Sequence, residues 1–223
     1  MSRKTVEFFY DVVSPYSWFA FETLMRYQNR WNITLKLRPF FLGGIMHGSG
    51  NKPPAMVPLK SKYMFDDVQR LGKYFNVPIR FPKNPAELML TKGTLATQRF
   101  LTAIDMTHPG KLETVSRELW MRAWHRDEDI TEPASFAEAA RQAGISEKDI
   151  AAILPRMKDE DVKDRLKNTT QDALDLGAFG APIILAVVDG RKEWVFGSDR
   201  FPIFADLIGE KWEGPVPGVT SKL

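Results

Sequence analysis

The hydrophobic positions at the start of the chain predict a strand, a helix and a second strand, in that order. Residues 5–10 (TVEFFY) form an apolar, aromatic run that is typical of a buried strand. Ser14 then suits the N-cap of a helix and Pro15 its first position, and apolar side chains recur behind them at helical spacing. Over residues 33–38 apolar and polar side chains alternate, which predicts a half-buried strand.

The last part of the chain mirrors this beginning. Two apolar runs, IILAVV and KEWVF, flank Asp189-Gly190, and such a two-residue turn is strongly favoured in β-hairpins. A final helix follows, which either Ser198 or Asp199 can cap and which Gly209 ends. The two ends of the chain therefore supply a β-α-β unit and a β-β-α unit.

The middle of the chain is predicted to be helical. Apolar side chains recur there every three to four residues, and Ser146 with Asp149 forms the pattern of a capping box. A helical block inside a βαβ…ββα frame is most simply an α/β fold, a thioredoxin-like domain that carries a helical insertion. We therefore expect residues 1–60 and 177–223 to form the thioredoxin-like domain and residues 61–176 an inserted all-helical domain.

The charge balance argues against a nucleic-acid or lipid partner. The 223 residues include 31 basic and 28 acidic side chains, so the net charge of +3 is a small surplus without a block of like charge. No apolar stretch approaches the roughly 18 residues that span a bilayer. We therefore expect a soluble protein with no membrane span and no nucleic-acid partner.

The sequence contains no cysteine. This excludes disulfides, cysteine-bound metals and a thiol nucleophile of the protein's own. The histidines, His47, His108 and His125, show no paired ligand spacing, and we predict no metal site. Any sulfur chemistry must therefore use a thiol from outside the chain.

Four stretches converge at one edge of the sheet in a thioredoxin-like frame, and each can bind a small ligand. The SPYS stretch that begins at Ser14 places a hydroxyl beside the backbone N–H groups of a helix start, where an anion is stabilised. Residues 43–54 (GGIMHGSGNKPP) lack a phosphate-loop pattern and are predicted to form a flexible rim. Within and beside this rim, Asn51 and Lys60 can offer an amide and a positive charge to a small acidic ligand.

The other two stretches lie in the second half of the frame. Residues 177–182 (GAFGAP) run into a strand, and a cis bond between Ala181 and Pro182 would leave the Ala181 backbone free to pair with a peptide-like ligand. In residues 197–200 (GSDR), a helix cap can bind a carboxylate and Asp199 can hold an amino group. Singly, each stretch also fits a plain cap or loop, but their convergence favours a ligand site.

These stretches, with others along the chain, resemble the kappa class of glutathione transferases. The matching segments are, in order, FFYDVVSPYSW, SGNKPP, ELWMRAWHRDEDITEP, GAFGAPI, GSDR and GEKW, and they span essentially the whole chain. The resemblance implies a thioredoxin-like domain with a helical insertion, a homodimer, glutathione as cosubstrate, and a location in mitochondria or peroxisomes.

The resemblance also assigns roles to individual residues. Ser14 matches the family's catalytic serine. The residues implied to contact glutathione are Pro15, Tyr16, Asn51, Lys60, Asp67, Ala181, Pro182, Ser198, Asp199 and Arg200. Ala181 departs from relatives, which often carry a larger aliphatic residue there; a backbone contact survives this change, but the adjoining subsite is expected to be roomier.

The implied activity is conjugation of the glutathione thiolate to electrophilic small molecules in detoxification, with glutathione-dependent peroxide reduction as a further activity. Two alternatives stay open: a glutathione-dependent isomerase of the 2-hydroxychromene-2-carboxylate type, and a non-catalytic peroxisomal binding or scaffold protein. A disulfide oxidoreductase is excluded, because the chain has no Cys-x-x-Cys motif.

The end of the sequence carries a targeting signal. Ser221-Lys222-Leu223 is the C-terminal tripeptide that the peroxisomal import receptor recognises. We therefore expect a peroxisomal location, with the mitochondrial matrix as the second choice.

Overall fold

A four-stranded mixed sheet forms the frame of the molecule. The computed structural model describes residues 3–218. Its strands are β1 (Lys4–Tyr10), β2 (Ile33–Pro39), β3 (Ile183–Val188) and β4 (Arg191–Phe196), arranged in the order β2-β1-β3-β4. Strand β1 is parallel to β2 and antiparallel to β3, which pairs with β4 as a hairpin. This sheet confirms the predicted thioredoxin-like α/β fold.

Helices account for most of the chain between β2 and β3. The helices of the whole molecule are, in chain order, α1 (Pro15–Tyr27), between β1 and β2, then α2 (Leu42–Ser49), α3 (Pro58–Tyr74), α4 (Leu95–Thr107), α5 (Leu112–Met121), α6 (Pro133–Gln142), α7 (Glu147–Arg156) and α8 (Glu160–Asp175), all between β2 and β3, and α9 (Phe201–Leu207), after β4. Two π-helical segments, Glu87–Lys92 and Arg122–Arg126, and two 3-10 turns, Pro54–Met56 and Pro109–Lys111, complete the set. Among residues 3–218, no helix is both long and apolar enough to cross a membrane.

Several predicted local signals are confirmed. The hairpin turn has positive φ at both central residues, 50° at Asp189 and 79° at Gly190, as a type I′ turn requires. The Ser146 side chain caps α7 by accepting a hydrogen bond of 3.2 Å from the Asp149 N–H. These features depend on residues next to one another in sequence, which is why the pattern alone identified them.

The glycine-rich rim was predicted wrongly. Its first half is the helix α2, which ends where Gly50 adopts a left-handed φ of 70°. The glycines allow a close approach to α8, because a Cβ on Gly48 would lie 2.7 Å from Leu174 Cδ1, and one on Gly44 3.1 Å from Thr170 Cγ2. Tertiary packing therefore outweighs the low helix propensity of glycine.

The cap of the last helix was also predicted wrongly. Helix α9 begins at Phe201, and Arg200 holds the N-cap position without a side-chain capping bond. Ser198 and Asp199 lie before this position, in the turn that leaves β4. The predicted boundary between residues 60 and 61 falls inside α3, while the boundary at 176 follows the end of α8; the division into two domains stays a prediction.

One continuous core joins the sheet, α1 and the helical segment, by which we mean the helices between β2 and β3. The ring centroid of Trp120, from α5, lies 5.3 Å from that of Tyr10 on β1 and 4.8 Å from that of Phe21 on α1. All three side chains are fully buried. Helix α5 therefore packs directly behind the point where β1 passes into α1.

Candidate active site

Ser14 lies where the turn after β1 enters α1. Its hydroxyl accepts a hydrogen bond of 3.1 Å from the Ser17 N–H, and its own N–H donates to the Asp11 carbonyl at 3.0 Å. The side chain is buried but not sealed, with 6% of the residue exposed. Within the described residues no acceptor is found for the Ser14 hydroxyl proton, so this proton can be donated to a ligand.

Ser17, the second serine of the SPYS stretch, has a different environment. Its Oγ is fully buried and has no hydrogen-bond partner among residues 3–218. The backbone N–H of Ser17 donates to Ser14 Oγ. Of the two hydroxyls in this stretch, the structure therefore makes Ser14 the one with an ordered orientation.

Tyr16 brings two of the predicted residues together. Its hydroxyl donates to Asp67 Oδ2 at 3.0 Å. Burial, and then the nearby carboxylate of Asp67, raise the pKa of the Tyr16 phenol, and the charge of Asp199 adds to the effect. The phenol is therefore neutral at physiological pH, and both carboxylates lie close enough to interact with it.

An open cleft of about 360 Å³ lies beside Tyr16. Lys60 is on its wall, and no ion pair of this ammonium group is found in the described part of the chain. The rest of the wall is mostly apolar: Pro54, Leu59, Tyr63 and Met64. Lys60 thus lies next to Tyr16, at an apolar opening.

Asn51 connects two of the four predicted stretches. Its Nδ2 donates to the Phe179 carbonyl at 2.7 Å, and its Oδ1 accepts from the Lys52 N–H at 2.8 Å. The loop after α2 is therefore tied to the loop that leads into β3.

The loop before β3 contains the predicted cis bond. The peptide between Ala181 and Pro182 is cis, and the Pro182 carbonyl accepts from the Gly197 N–H at 3.0 Å. In residues 3–218 neither the N–H nor the C=O of Ala181 has a hydrogen-bond partner. A peptide-like ligand can therefore pair with both groups.

The fourth stretch adjoins the third through this bond to Gly197. Ser198 is 3% exposed. The Asp199 carboxylate is 62% exposed and forms an ion pair with Arg200. The fourth stretch thus offers a buried hydroxyl and an exposed carboxylate that is already paired.

The structure brings the predicted residues together in pairs more than as one network. Direct contacts join Tyr16 to Asp67 and Asp199 to Arg200. Asn51, and Gly197 next to Ser198, bond to the loop of Ala181. Within residues 3–218, no hydrogen bond joins the Ser14 hydroxyl to another predicted site residue. The described residues also contain no group of three His, Asp or Glu side chains that could hold a metal ion.

Asp11 is a site residue that the sequence reasoning missed. Its fully buried carboxylate accepts four hydrogen bonds of 2.8–3.0 Å, from Val13 N, Leu42 N, Thr94 Oγ1 and Gln98 Nε2. Burial raises the pKa of the Asp11 carboxyl to about 6, and the hydrogen bonds partly oppose this shift. The signal in the sequence was a single acid at the end of an apolar strand.

Comparisons with known proteins agree with this architecture. The family model for the DSBA-like thioredoxin domain matches residues 5–209. A glutathione S-transferase kappa 1 of Homo sapiens is 53% identical over 214 residues, which are 96% of this chain and 95% of that protein. A 2-hydroxychromene-2-carboxylate isomerase of Sphingobium xenophagum is 24% identical over 214 residues, with 92% of this chain and 98% of that protein covered.

The solved structures support the fold. A 2-hydroxychromene-2-carboxylate isomerase structure superposes with a TM-score of 0.75 at 18% sequence identity, covering 92% of this chain and 94% of that one. At this identity the likeness concerns the fold alone. The class follows from the 53% sequence identity to the human kappa 1 enzyme over nearly the full length of both chains. The chain belongs to the kappa class of glutathione S-transferases, within the DSBA-like thioredoxin-domain family.

Proposed function

We propose that this kappa-class enzyme conjugates the thiolate of glutathione to electrophilic small molecules, and that Ser14 stabilises the thiolate. The observation that carries this proposal is the orientation of the Ser14 hydroxyl, which accepts from the Ser17 N–H and keeps its own proton free. A serine in this role is a hydrogen-bond donor and forms no covalent bond with the substrate.

The energy available at this position is sufficient. A free thiol with a pKa near 8.5 is roughly 3% ionised at pH 7, and lowering the pKa by about 2 units raises this to about three quarters. That shift corresponds to about 2.7 kcal/mol. A hydrogen bond to a charged acceptor contributes roughly 1.5–3 kcal/mol, and a helix N-terminus up to about 2 kcal/mol. The first turn of α1 contains no acidic side chain that would oppose the second contribution.

The remaining contacts suit a tripeptide. The unpartnered N–H and C=O of Ala181 are proposed to pair with the backbone of the cysteinyl residue, as an added strand would. Ser198 and Asp199 are proposed to hold the γ-glutamyl end through its carboxylate and amino groups. Asn51, held to the loop before β3 by its bond to the Phe179 carbonyl, is proposed to contact glutathione as well.

The cleft beside Tyr16 is proposed to admit the electrophile. Its wall is mostly apolar, and Leu59 at its edge is 82% exposed, so an apolar ring would remove this surface from water. Lys60 on the same wall has no ion pair among the described residues, so it favours an electrophile with an acidic substituent.

Product analysis tests the activity. The purified enzyme is incubated with glutathione and an activated aryl halide, and separately with a 2-hydroxychromene carboxylate. The proposal predicts a thioether product and an equal loss of free thiol. Isomerisation without loss of thiol would instead support the isomerase, and calorimetry that detects no glutathione binding at millimolar concentration would support a scaffold role. Formation of glutathione disulfide from a hydroperoxide tests the further peroxidase activity.

Assembly and location are further proposals. The resemblance supports a homodimer, which sedimentation at micromolar concentration tests. The Ser221-Lys222-Leu223 tripeptide supports recognition by the peroxisomal import receptor; these residues lie outside the described part of the structure. Imaging a fluorescent fusion with and without the tripeptide tests this location, and import into mitochondria by both forms would contradict it.

A further inference from the structure

The turn that carries Ser14, residues 11–14, is held by the helical segment of the chain. The indole Nε1 of Trp120 donates to the Ser14 carbonyl at 3.2 Å, and the indole Nε1 of Trp124 donates to the Val12 carbonyl at the same distance. Both indoles are fully buried. The helical segment therefore contacts the catalytic turn through directional bonds as well as through apolar packing.

The same turn is tied from its inner side by Asp11. Its backbone carbonyl accepts from the Ser14 N–H, and one carboxylate oxygen accepts from the Val13 N–H at 3.0 Å. The carboxylate also accepts from Thr94 Oγ1 and Gln98 Nε2, at the start of α4, both at 2.8 Å. Ser14 is thus fixed at its N–H through Asp11 and at its C=O through Trp120.

We propose that Asp11 and Trp120 are positioning residues, which hold Ser14 in the orientation that directs its hydroxyl at the glutathione sulfur. This inference rests on the function proposed above and adds a role for the helical segment, which is to aim the catalytic serine. The Ser14 side chain has one rotatable bond before its oxygen, so a fixed backbone leaves three staggered positions for that oxygen, and the bond from the Ser17 N–H selects one of them.

The environment of Asp11 supports a role beyond stability. The carboxyl is fully buried, and its raised pKa means that its charged form is disfavoured in the folded state. The neighbouring Tyr10 phenol is also fully buried, and its raised pKa keeps it neutral, so it adds no charge beside the Asp11 carboxylate. The charged Asp11 carboxylate opposes folding, yet it accepts four hydrogen bonds around the catalytic turn. Such a buried charge is more typical of a functional site than of a purely structural contact.

A double-mutant cycle tests the proposal. Trp120→Phe removes one N–H and keeps an aromatic ring, and we expect it to lower kcat/KM about fivefold, the factor that one ordinary hydrogen bond represents. The matched control is Trp18→Phe, which removes a part-buried hydrogen bond from the indole to Glu22 within α1, the helix that Ser14 caps. We expect this control to change kcat/KM by less than about twofold.

The decisive measurement repeats both substitutions in a Ser14→Ala background. If Trp120 acts through Ser14, Trp120→Phe has no further effect once the hydroxyl is gone. An equal loss of activity with and without the hydroxyl, or equal losses from Trp120→Phe and Trp18→Phe, would overturn the positioning role. A Ser14→Ala enzyme as active as the wild type would instead reject the proposed function itself, so the two failures are distinguishable.

Asp11→Asn provides a second, independent arm if Trp120→Phe does not fold. It keeps the shape of the side chain, and we expect a loss of kcat/KM that also disappears in the Ser14→Ala background. A decrease in kcat/KM is informative, because the loss of a negative charge near the site would by itself favour the thiolate and raise activity. An Asp11→Asn enzyme with unchanged or higher kcat/KM contradicts the proposal.

Discussion

Replacing Ser14 by alanine removes the one hydroxyl that the account places at the glutathione sulfur. A hydrogen bond to a charged acceptor contributes roughly 1.5–3 kcal/mol, so its loss should raise the pKa of the bound thiol by about 1–2 units. From a starting pKa of about 6.5, the thiolate fraction at pH 7 would fall from about three quarters to between roughly a quarter and 3%. Conjugation at saturating glutathione should fall in the same proportion, since the thiolate is the nucleophile.

The assay is a titration of thiolate ultraviolet absorbance in the enzyme–glutathione complex, with conjugation rates over the same pH range. Ser17→Ala is the matched control, because its Oγ is buried three residues away and has no partner in the described structure. We expect this control to leave the thiol pKa unchanged and to cost no stability, since it removes an unsatisfied polar atom. A Ser14→Ala enzyme with the wild-type thiol pKa, or a Ser17→Ala enzyme with an equally raised one, would exclude the Ser14 hydroxyl as the group that stabilises the thiolate.

Three further predictions concern the cleft, the buried acid and a helix cap. Lys60→Gln should lower kcat/KM about tenfold for an aryl halide that carries a carboxylate, because a charge-assisted bond is lost, and should leave kcat/KM for the neutral analogue unchanged. Lys62→Gln, which changes an exposed lysine of the same helix, is the control. Equal effects of Lys60→Gln on both substrates would contradict a contact between Lys60 and the acidic substituent. The pKa of Asp11 in the folded state, about 6, is above its ordinary 3.8, so protonated Asp11 stabilises the fold by up to about 3 kcal/mol below pH 3.8, and this contribution is lost as the pH rises through 6. Denaturant unfolding at several pH values should show that Asp11→Asn flattens the dependence of stability on pH, and an unchanged dependence would count against the shifted pKa. Ser146→Ala should remove about 1 kcal/mol of stability by uncapping α7, lowering Tm by roughly 2–4 °C in calorimetry. Conjugation should not change, because the side-chain bonds of Ser146 are to Asp149 in the first turn of α7, and a loss of activity would contradict this.

The frame of the fold was predictable because its signals are local. The Asp189-Gly190 turn, the cap at Ser14 and the alternation along β2 each depend on residues within a few positions of one another. The periodicity of a strand or a helix is written into such neighbours. For this reason the order of strands and helices at both ends of the chain followed from the sequence.

Helix α2 could not be predicted in the same way. Its glycines have low helix propensity, and the reason for them is the approach of Leu174 and Thr170, more than a hundred residues later in the chain. Asp11 is similar, because three of its four donors, Leu42, Thr94 and Gln98, are distant in sequence and meet it only in the folded chain. What the sequence did not reveal is therefore what depends on tertiary contacts.

The proposed mechanism requires that the hydroxyl of Ser14 holds the sulfur of glutathione as an anion. The most direct measurement is a crystal structure of the enzyme with glutathione bound, in which the distance from the sulfur to Ser14 Oγ is read. We predict a distance of roughly 3.3 Å or less, with Ser14 Oγ still accepting from the Ser17 N–H. A sulfur bound elsewhere on the enzyme, or a Ser14 hydroxyl turned away from it, would contradict this role of Ser14.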